Sequence, residues 1–440
     1  MAKKITTEEK NKKVKAKTKE KVNKTDKVIE TKKVEEKEQS PIVSLMELLG
    51  IIAFVVVVLI FFPNTIIWNI IVLLLILTVL IFVHEFGHYI TGKMCGVHIY
   101  EFALGMGPKV LEFKRKNDPT IYTLRAFPIG GYCQLAGEEL EDDDTLPKDK
   151  FMCNKSKLQR LLILVAGVTM NFITAFILLF LIGLCFGSTD QSNRIAGVEK
   201  DSVAYEAGIV AGDKIVECNG YKITTWDKLS VVTAMKNEND YIEYVIEHKD
   251  GSKDTYQLIP ADYVTFEDKM IRITDEITKE DILEYYGKTE DEVVISQKIG
   301  VSSSSEKLYG ISNAFKYACT KFISIVSMML MIIWGLITGK IGLNALSGPV
   351  GMYSIVGEVA RAGFANIIYL AAYLSINLGV LNILPIPAFD GGRVLFVLIE
   401  AVTGKKVDAK IEAIIHSVCF VLLMILMLVI TCQDILRLLF

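Results

Sequence analysis

The sequence predicts a polytopic α-helical membrane protein with an α+β module inserted between its spans. Three observations predict it. Of 440 residues, 51% are hydrophobic and mean hydropathy is +0.39, yet 22% are charged, so apolar and charged residues must be segregated along the chain. Several apolar runs, among them Ile66 to Val83, Leu161 to Phe186 and Ala413 to Cys432, contain no Asp, Glu, Lys or Arg and are long enough to enter a bilayer. Between the second and the last of these runs lie short alternating segments separated by Asn-Gly and Asp-Gly turns, the pattern of a small strand-rich domain. The formal net charge of −3 is too unevenly spread to be informative as a total, and no motif supports nucleic-acid binding. The eight cysteines have no CxxC spacing and read as free thiols, neither a disulfide framework nor a thiolate zinc site.

Taken in order, residues 1–42 form a Lys/Glu-rich tail with 14 lysines against 7 glutamates and 1 aspartate up to Glu38. It has too few apolar groups to bury a core and is expected to be a disordered cytosolic segment, with anionic headgroups as an alternative contact. Residues 43–62 are an apolar span interrupted only by Glu47, and Pro63-Asn64 breaks it before the next span, residues 65–92. The positive-inside rule keeps the tail in the cytosol, so the first span runs outward and the second returns. Residues 93–158 are polar and basic and read as a cytosolic, membrane-associated β-loop. Strands are expected at Pro108 to Phe113 and Ile121 to Phe127, with a turn at Gly130-Gly131. The acidic cluster Glu138 to Asp144 is read as a solvated loop.

Residues 159–188 are an outward span whose polar exception is Asn171. An amide at that depth more often bridges helices than performs chemistry. Residues 193–260 read as a module of strand, short helix, a hairpin about Asn219-Gly220, a helix at Trp226 to Met235, and a second hairpin about Asp250-Gly251. Residues 261–310 are an acidic extracytoplasmic insert, with 11 acidic against 5 basic side chains over 262–298 and a helix near Lys279 to Tyr286. A segment at 311–362, a span with a Gly-Gly turn at 363–392 and a last span at 411–432 complete the chain.

Chemistry concentrates in His84-Glu85-Phe86-Gly87-His88, at the end of the run from Ile66. On a helix, two imidazoles at i and i+4 share one face with Cβ atoms about 5–6 Å apart, close enough to ligate one ion. That is zinc geometry, and Glu85 can stand beside an open coordination position to take a proton from the attacking water. Ionisable side chains at membrane depth are costly and mark function. His98, His248 and His416 read instead as surface or helix-packing histidines.

A catalytic zinc site takes three protein ligands, and Asp390 stands out as the third candidate. It follows an apolar span and sits in a segment broken by Pro and Gly, which is tolerated at membrane depth only when buried or lining a wet cavity. Asp390 must lie on the same side as His84 and His88. If Phe322 to Ile337 crossed the membrane, Gly363 to Leu384 would deliver Asp390 to the opposite face. Residues 311–362 are therefore expected to be an amphipathic, membrane-associated segment that does not cross. The result is a multi-pass protein of the inner, cytoplasmic membrane with a cytosolic N-terminus and an extracytoplasmic module.

These residues resemble the site-2 protease family of intramembrane zinc metalloproteases, most closely its bacterial RseP/RasP-like branch. The resemblance runs from Ile66 to the C-terminus. His84 to His88 is similar to the family's first-helix motif, and Asn382-Ile383-Leu384-Pro385-Ile386-Pro387-Ala388-Phe389-Asp390-Gly391-Gly392 to its N-x-x-P-x-P-x-L-D-G-G motif, with Phe389 where the family has Leu. Leu104 to Lys109 and Phe127 to Tyr132 resemble its membrane-associated β-loop, and Ser347-Gly348-Pro349-Val350-Gly351 a segment before its third core helix. Ala207 to Val216 followed by Asn219-Gly220 resembles the PDZ domains of bacterial envelope proteases.

The resemblance implies a four-helix core with one extra N-terminal helix and an inserted PDZ domain. It implies a Zn2+ cofactor held by His84, His88 and Asp390, with Glu85 as general base. Asn382 and Asn171 are implied substrate-positioning residues, although Val168 replaces the proline of the family segment that contains Asn171. The implied substrates are transmembrane segments of membrane-anchored regulators such as trimmed anti-sigma factors, or remnant signal peptides. The PDZ domain would take an extracytoplasmic peptide or chain end. A PDZ-bearing membrane scaffold with a structural or inactive metal site is the alternative, and Glu85→Gln separates the two.

Overall fold

Apolar residues with no intervening charge can satisfy their backbone in lipid only as helices, and long helices dominate this computed structural model. It describes residues 66–439 apart from 139–144, 236–240, 267–268, 275–276 and 290–292; the Lys/Glu tail, the 43–62 run and most of the acidic cluster lie outside the described residues. Five described helices are long and apolar enough to cross a membrane: Ile66–Met94, Lys157–Phe186, Ile311–Ile337, Phe364–Ile383 and Ala409–Arg437. All eight cysteines are free.

Helix α1 (Ile66–Met94) carries the histidine pentad in its last turns. The strands that follow, β1 (Ile99–Lys114) and β2 (Ile121–Leu135), are longer than expected. Glu101 to Leu104 lie beside Ile121 to Leu124 on one edge and beside Gly131 to Gln134 on the other, while Lys109 to Lys114 pair with Ile121 to Arg125. Two strands thus fold over each other to give a sheet four segments wide. Gly130-Gly131, expected to be a turn, lies within β2; Gly130 has φ +80°, which bends the strand instead of ending it.

Helix α2 (Lys157–Phe186) begins with a capping box between Ser156 and Gln159. It runs antiparallel to α1, since His88 meets Ile163 and His84 meets Asn171. At the crossing a β-carbon on Gly87 would collide with the Ala166 carbonyl, and one on Gly167 would lie 2.5–2.7 Å from the ring atoms of His88 and His84. Only glycines permit that approach.

The α+β module contains β3 (Gly197–Val198), α3 (Val203–Glu206), β4 (Lys214–Cys218), β5 (Tyr221–Lys222), α4 (Trp226–Ala234), β6 (Ile242–Glu247) and β7 (Lys253–Leu258). Four strands form a sheet in the order β5-β4-β6-β7. Asn219 and Gly220 both have positive φ, 46° and 77°, the tight turn their sequence predicts. β8 (Ala261–Phe266), β9 (Lys269–Arg272), α5 (Lys279–Tyr286), β10 (Val294–Lys298) and β11 (Val301–Ser302) follow, with β10-β8-β9 as a separate sheet.

The module does not stop at Pro260. β11 pairs with β3, and Ile299 is buried in the same core as Ile195, Ile215 and Ile246. Charge density along 261–298 concealed a return strand that completes the apolar centre.

Helix α6 (Ile311–Ile337) packs one side on α2 and α8 (Phe364–Ile383), with Ile325 beside Leu179 and Ile376 in one cluster. Its other side meets the module: Lys321 Nζ donates to Asp227 at 2.7 Å, Ser324 Oγ donates to the same carboxylate at 2.9 Å, and Met331 packs on the module core. Helix α7 (Pro349–Arg361) starts at Gly348 and Gly351, whose N–H groups both donate to Asp434 Oδ2 at 2.8 Å. Asp434 lies near the end of α10 (Ala409–Leu439), and α9 (Asp390–Thr403) opens with the candidate ligand.

Candidate active site

His84 and His88 are buried, 5% and 8% exposed, where α1 crosses α2. Ile163 shapes the site from behind: the His88 Nδ1–H donates to its carbonyl at 2.8 Å, which leaves Nε2 unprotonated and turned toward His84. The two Nε2 atoms stand 3.2 Å apart. Asp390 completes the group, with Oδ2 3.0 Å from His84 Nε2 and 3.3 Å from His88 Nε2. Its position is set by a loop in which Gly391 and Gly392 fold back on Leu384 and Pro387 too closely to admit a β-carbon.

Donors about 2.0–2.1 Å from a tetrahedral zinc ion stand about 3.3 Å from one another. The three donors here are separated by 3.0, 3.2 and 3.3 Å. Two imidazole nitrogens and a buried carboxylate oxygen without a hydrogen-bond partner converge at the mutual spacing of zinc donors, so the donor set fits the ion. Among the described residues, His84, His88 and Asp390 are the group of His, Cys, Asp or Glu side chains arranged to hold a metal.

Glu85 projects to the side, where its Oε2 accepts the Cys133 backbone N–H at 3.0 Å. It borders a cavity of about 440 Å³ lined by Tyr100, Tyr132, Cys133, Gln134, Leu135 and Glu138. Glu138 is ion-paired to Arg393 of α9. The outer edge of β2 therefore runs past the glutamate.

The two amides fall in different places. Asn382 is half-buried at the end of α8, with Nδ2 3.4 Å from His84 Nε2, on the open side of the cluster. Asn171 is fully buried behind His84, with its amide 3.2 Å from Nδ1. Its side chain meets the imidazole from behind, away from Asp390. Sequence reasoning missed the contributions of Gly87, Gly167 and the Cys133 amide. The only available signal was the small pair Ala166-Gly167 in an otherwise bulky span, which marks close helix approach.

A histidine pair, a carboxylate and a neighbouring glutamate, lodged among helices able to cross a bilayer, place the protein among the zinc metalloproteases of membranes. Comparison with known proteins agrees: residues 72–426 match the model of Peptidase family M50, and the chain belongs to that family. It is similar to the regulator of sigma-W protease RasP of Bacillus subtilis, 30% identical over 454 residues, covering 86% of this chain and 99% of that protein. It is likewise similar to the zinc metalloproteases RasP of Shouchella clausii (30% over 445 residues, 82% and 97%) and Oceanobacillus iheyensis (29% over 447 residues, 84% and 99%). The protein is a multi-pass helical membrane protein and an intramembrane zinc metalloprotease.

Proposed function

We propose that His84, His88 and Asp390 hold the zinc and Glu85 is the general base for hydrolysis of peptide bonds in transmembrane segments of other proteins. The mutual spacing of the three donors carries this reading. When bound, zinc supplies Lewis acidity toward the scissile carbonyl and toward water. Glu85 takes a proton from the attacking water and delivers it to the leaving amine nitrogen. The Cys133 amide keeps that carboxylate aimed. Asn171, whose side-chain amide lies 3.2 Å from His84 Nδ1, braces the ring from behind with Nε2 toward the metal. Asn382, on the open side, positions the substrate. A helical amide is shielded, so the substrate must unwind, and the β2 edge beside the cavity offers it an extended partner.

The substrates are membrane-anchored regulators of the anti-sigma-factor kind, trimmed beforehand, or remnant signal peptides. The name of the Bacillus subtilis relative, a regulator of sigma-W protease, fits the first class. The α+β module acts as a PDZ domain that screens extracytoplasmic chain ends; its Asn219-Gly220 hairpin and the strand-helix order fit that assignment.

The N-terminus is cytosolic, the membrane is the inner one, and α6 does not cross it. Both flanks of α6 support this topology. Ala314 lies against Gly183 near the end of α2, while the residues after α6 meet Asp434 near the end of α10 and, through Gly357, Asn69 near the start of α1. Those partners belong to the end of the bundle remote from the pentad.

Glu85→Gln tests the mechanism, because it keeps volume and both imidazoles while removing the base. Purified Glu85→Gln protein should retain zinc and lose cleavage of a model transmembrane substrate by about 10²–10⁴-fold. Cleavage at the wild-type rate would overturn the assignment.

A further inference from the structure

The loop that presents Asp390 is held from outside by a residue of the last helix. His416 Nδ1 accepts the backbone N–H of Ala388 at 2.9 Å, two residues before Asp390, and its ring lies against Phe396 of α9 with centroids 5.8 Å apart. His416 is thus a helix-packing histidine that also accepts a backbone hydrogen bond. A backbone N–H only donates, so Nδ1 is the unprotonated nitrogen and the neutral ring carries its proton on Nε2.

Ala388 needs a holder. Its φ is +99°, a conformation that glycine adopts freely and alanine resists. Pro385 and Pro387 have no N–H with which to brace the loop, whose internal backbone bonds are Ile386 N–H to Leu384 O, Phe389 N–H to Ile386 O and Gly392 N–H to Phe389 O. Relaxation at Ala388 would swing the peptide that leads into Asp390, whose Oδ2 must stay 3.0–3.3 Å from two imidazole nitrogens.

We propose that His416 is a positioning residue for the metal site: by accepting the Ala388 N–H it holds the strained turn that sets Asp390, making the C-terminal helix part of the zinc centre. The proposal rests on Asp390 being a zinc ligand, and its test separates the two ideas. Full-length protein in lipid nanodiscs is stripped of zinc, and zinc affinity is measured by competition with a chromophoric chelator. His416→Asn places an acceptor oxygen near the position of Nδ1, His416→Gln places one near Nε2, and His416→Phe keeps the ring without an acceptor.

The expected result is near-wild-type affinity for His416→Asn and affinity about 10–100-fold weaker for His416→Gln and His416→Phe. Ala388→Gly, which needs no holder, should leave affinity unchanged alone and recover part of the loss when combined with His416→Phe; a role in helix packing alone would not give that rescue. If His416→Phe does not fold, the Asn and Gln variants, both polar, still decide the question. Equal affinity for those two, or wild-type affinity for His416→Phe while Asp390→Asn binds poorly, would overturn the proposal. Wild-type affinity for Asp390→Asn would overturn the ligand assignment beneath it.

Discussion

Gly167 of α2 lies so close to His88 of α1 that a β-carbon on it would stand 2.5 Å from Nε2, the nitrogen facing Asp390. The crossing of two helices and the geometry of the metal site are therefore one constraint. Gly167→Ala should push both rings off their positions, since His84 Nε2 would be met at 2.7 Å. We expect zinc content to fall well below stoichiometric, with destabilisation of about 1–3 kcal/mol from overpacking. Metal analysis of the purified variant checks it; full zinc content would show that the helices can part without moving the rings. Gly87→Ala meets the Ala166 backbone instead of a side chain, so it should cost more stability, measured as thermal unfolding.

The placement of α6 predicts a labelling pattern. Single cysteines at Ile311 and Lys340, in a background where accessible native cysteines are replaced, should both react with a membrane-impermeant thiol reagent from the extracytoplasmic side. Labelling from opposite sides would make α6 a span and would invert every element after it.

Lys321 is 9% exposed and bonds to both Asp227 and Gln191, tying α6 to the start of α4. Removing one member of a buried ion pair typically costs about 3–5 kcal/mol. Because 21% of the Asp227 side-chain surface is exposed and can be rehydrated, Lys321→Met should fall at or below the lower edge of that range. A Thr225→Cys/Ser324→Cys pair, whose parent hydroxyl oxygens are 2.7 Å apart, should cross-link readily in the wild-type background and poorly with Lys321→Met. Equal cross-linking would show that the ion pair does not hold the module in place.

His248 predicts a pH dependence in the module. Burial disfavours its charged form, but the hydrogen bond and charge of the Asp213 carboxylate, 2.9 Å away, outweigh that and raise its pKa above the ordinary value. A raised histidine pKa stabilises the fold fully below the unfolded value, about 6.5, and that contribution is lost as pH rises through the higher folded value. Hydrogen exchange of β6 in wild type and His248→Ala should therefore differ most near pH 5.5 and converge at alkaline pH. A gap that widens with pH would refute the assignment.

Sequence alone determined what is local along the chain. The runs Ile66 to Val83 and Leu161 to Phe186 lie inside α1 and α2 because uncharged apolar residues of that length have no other stable form in lipid. His84 and His88 share a face because helical periodicity puts them there, α5 begins and ends at Lys279 and Tyr286 because Thr278 and Gly287 cap it, and Asn219-Gly220 turns because of its backbone preferences. Asp390 could be singled out because its segment had to be non-helical at membrane depth.

Tertiary structure alone decided what depends on residues far apart meeting. The glycines at the α1–α2 crossing, the Cys133 amide on Glu85, the return of Ile299 to the module core and the grip of His416 on Ala388 join positions separated by 28 to more than 80 residues. None has a local signature, because a hydrogen bond or a close approach is set by the packing of both partners, and each partner alone looks like an ordinary small, buried or polar residue.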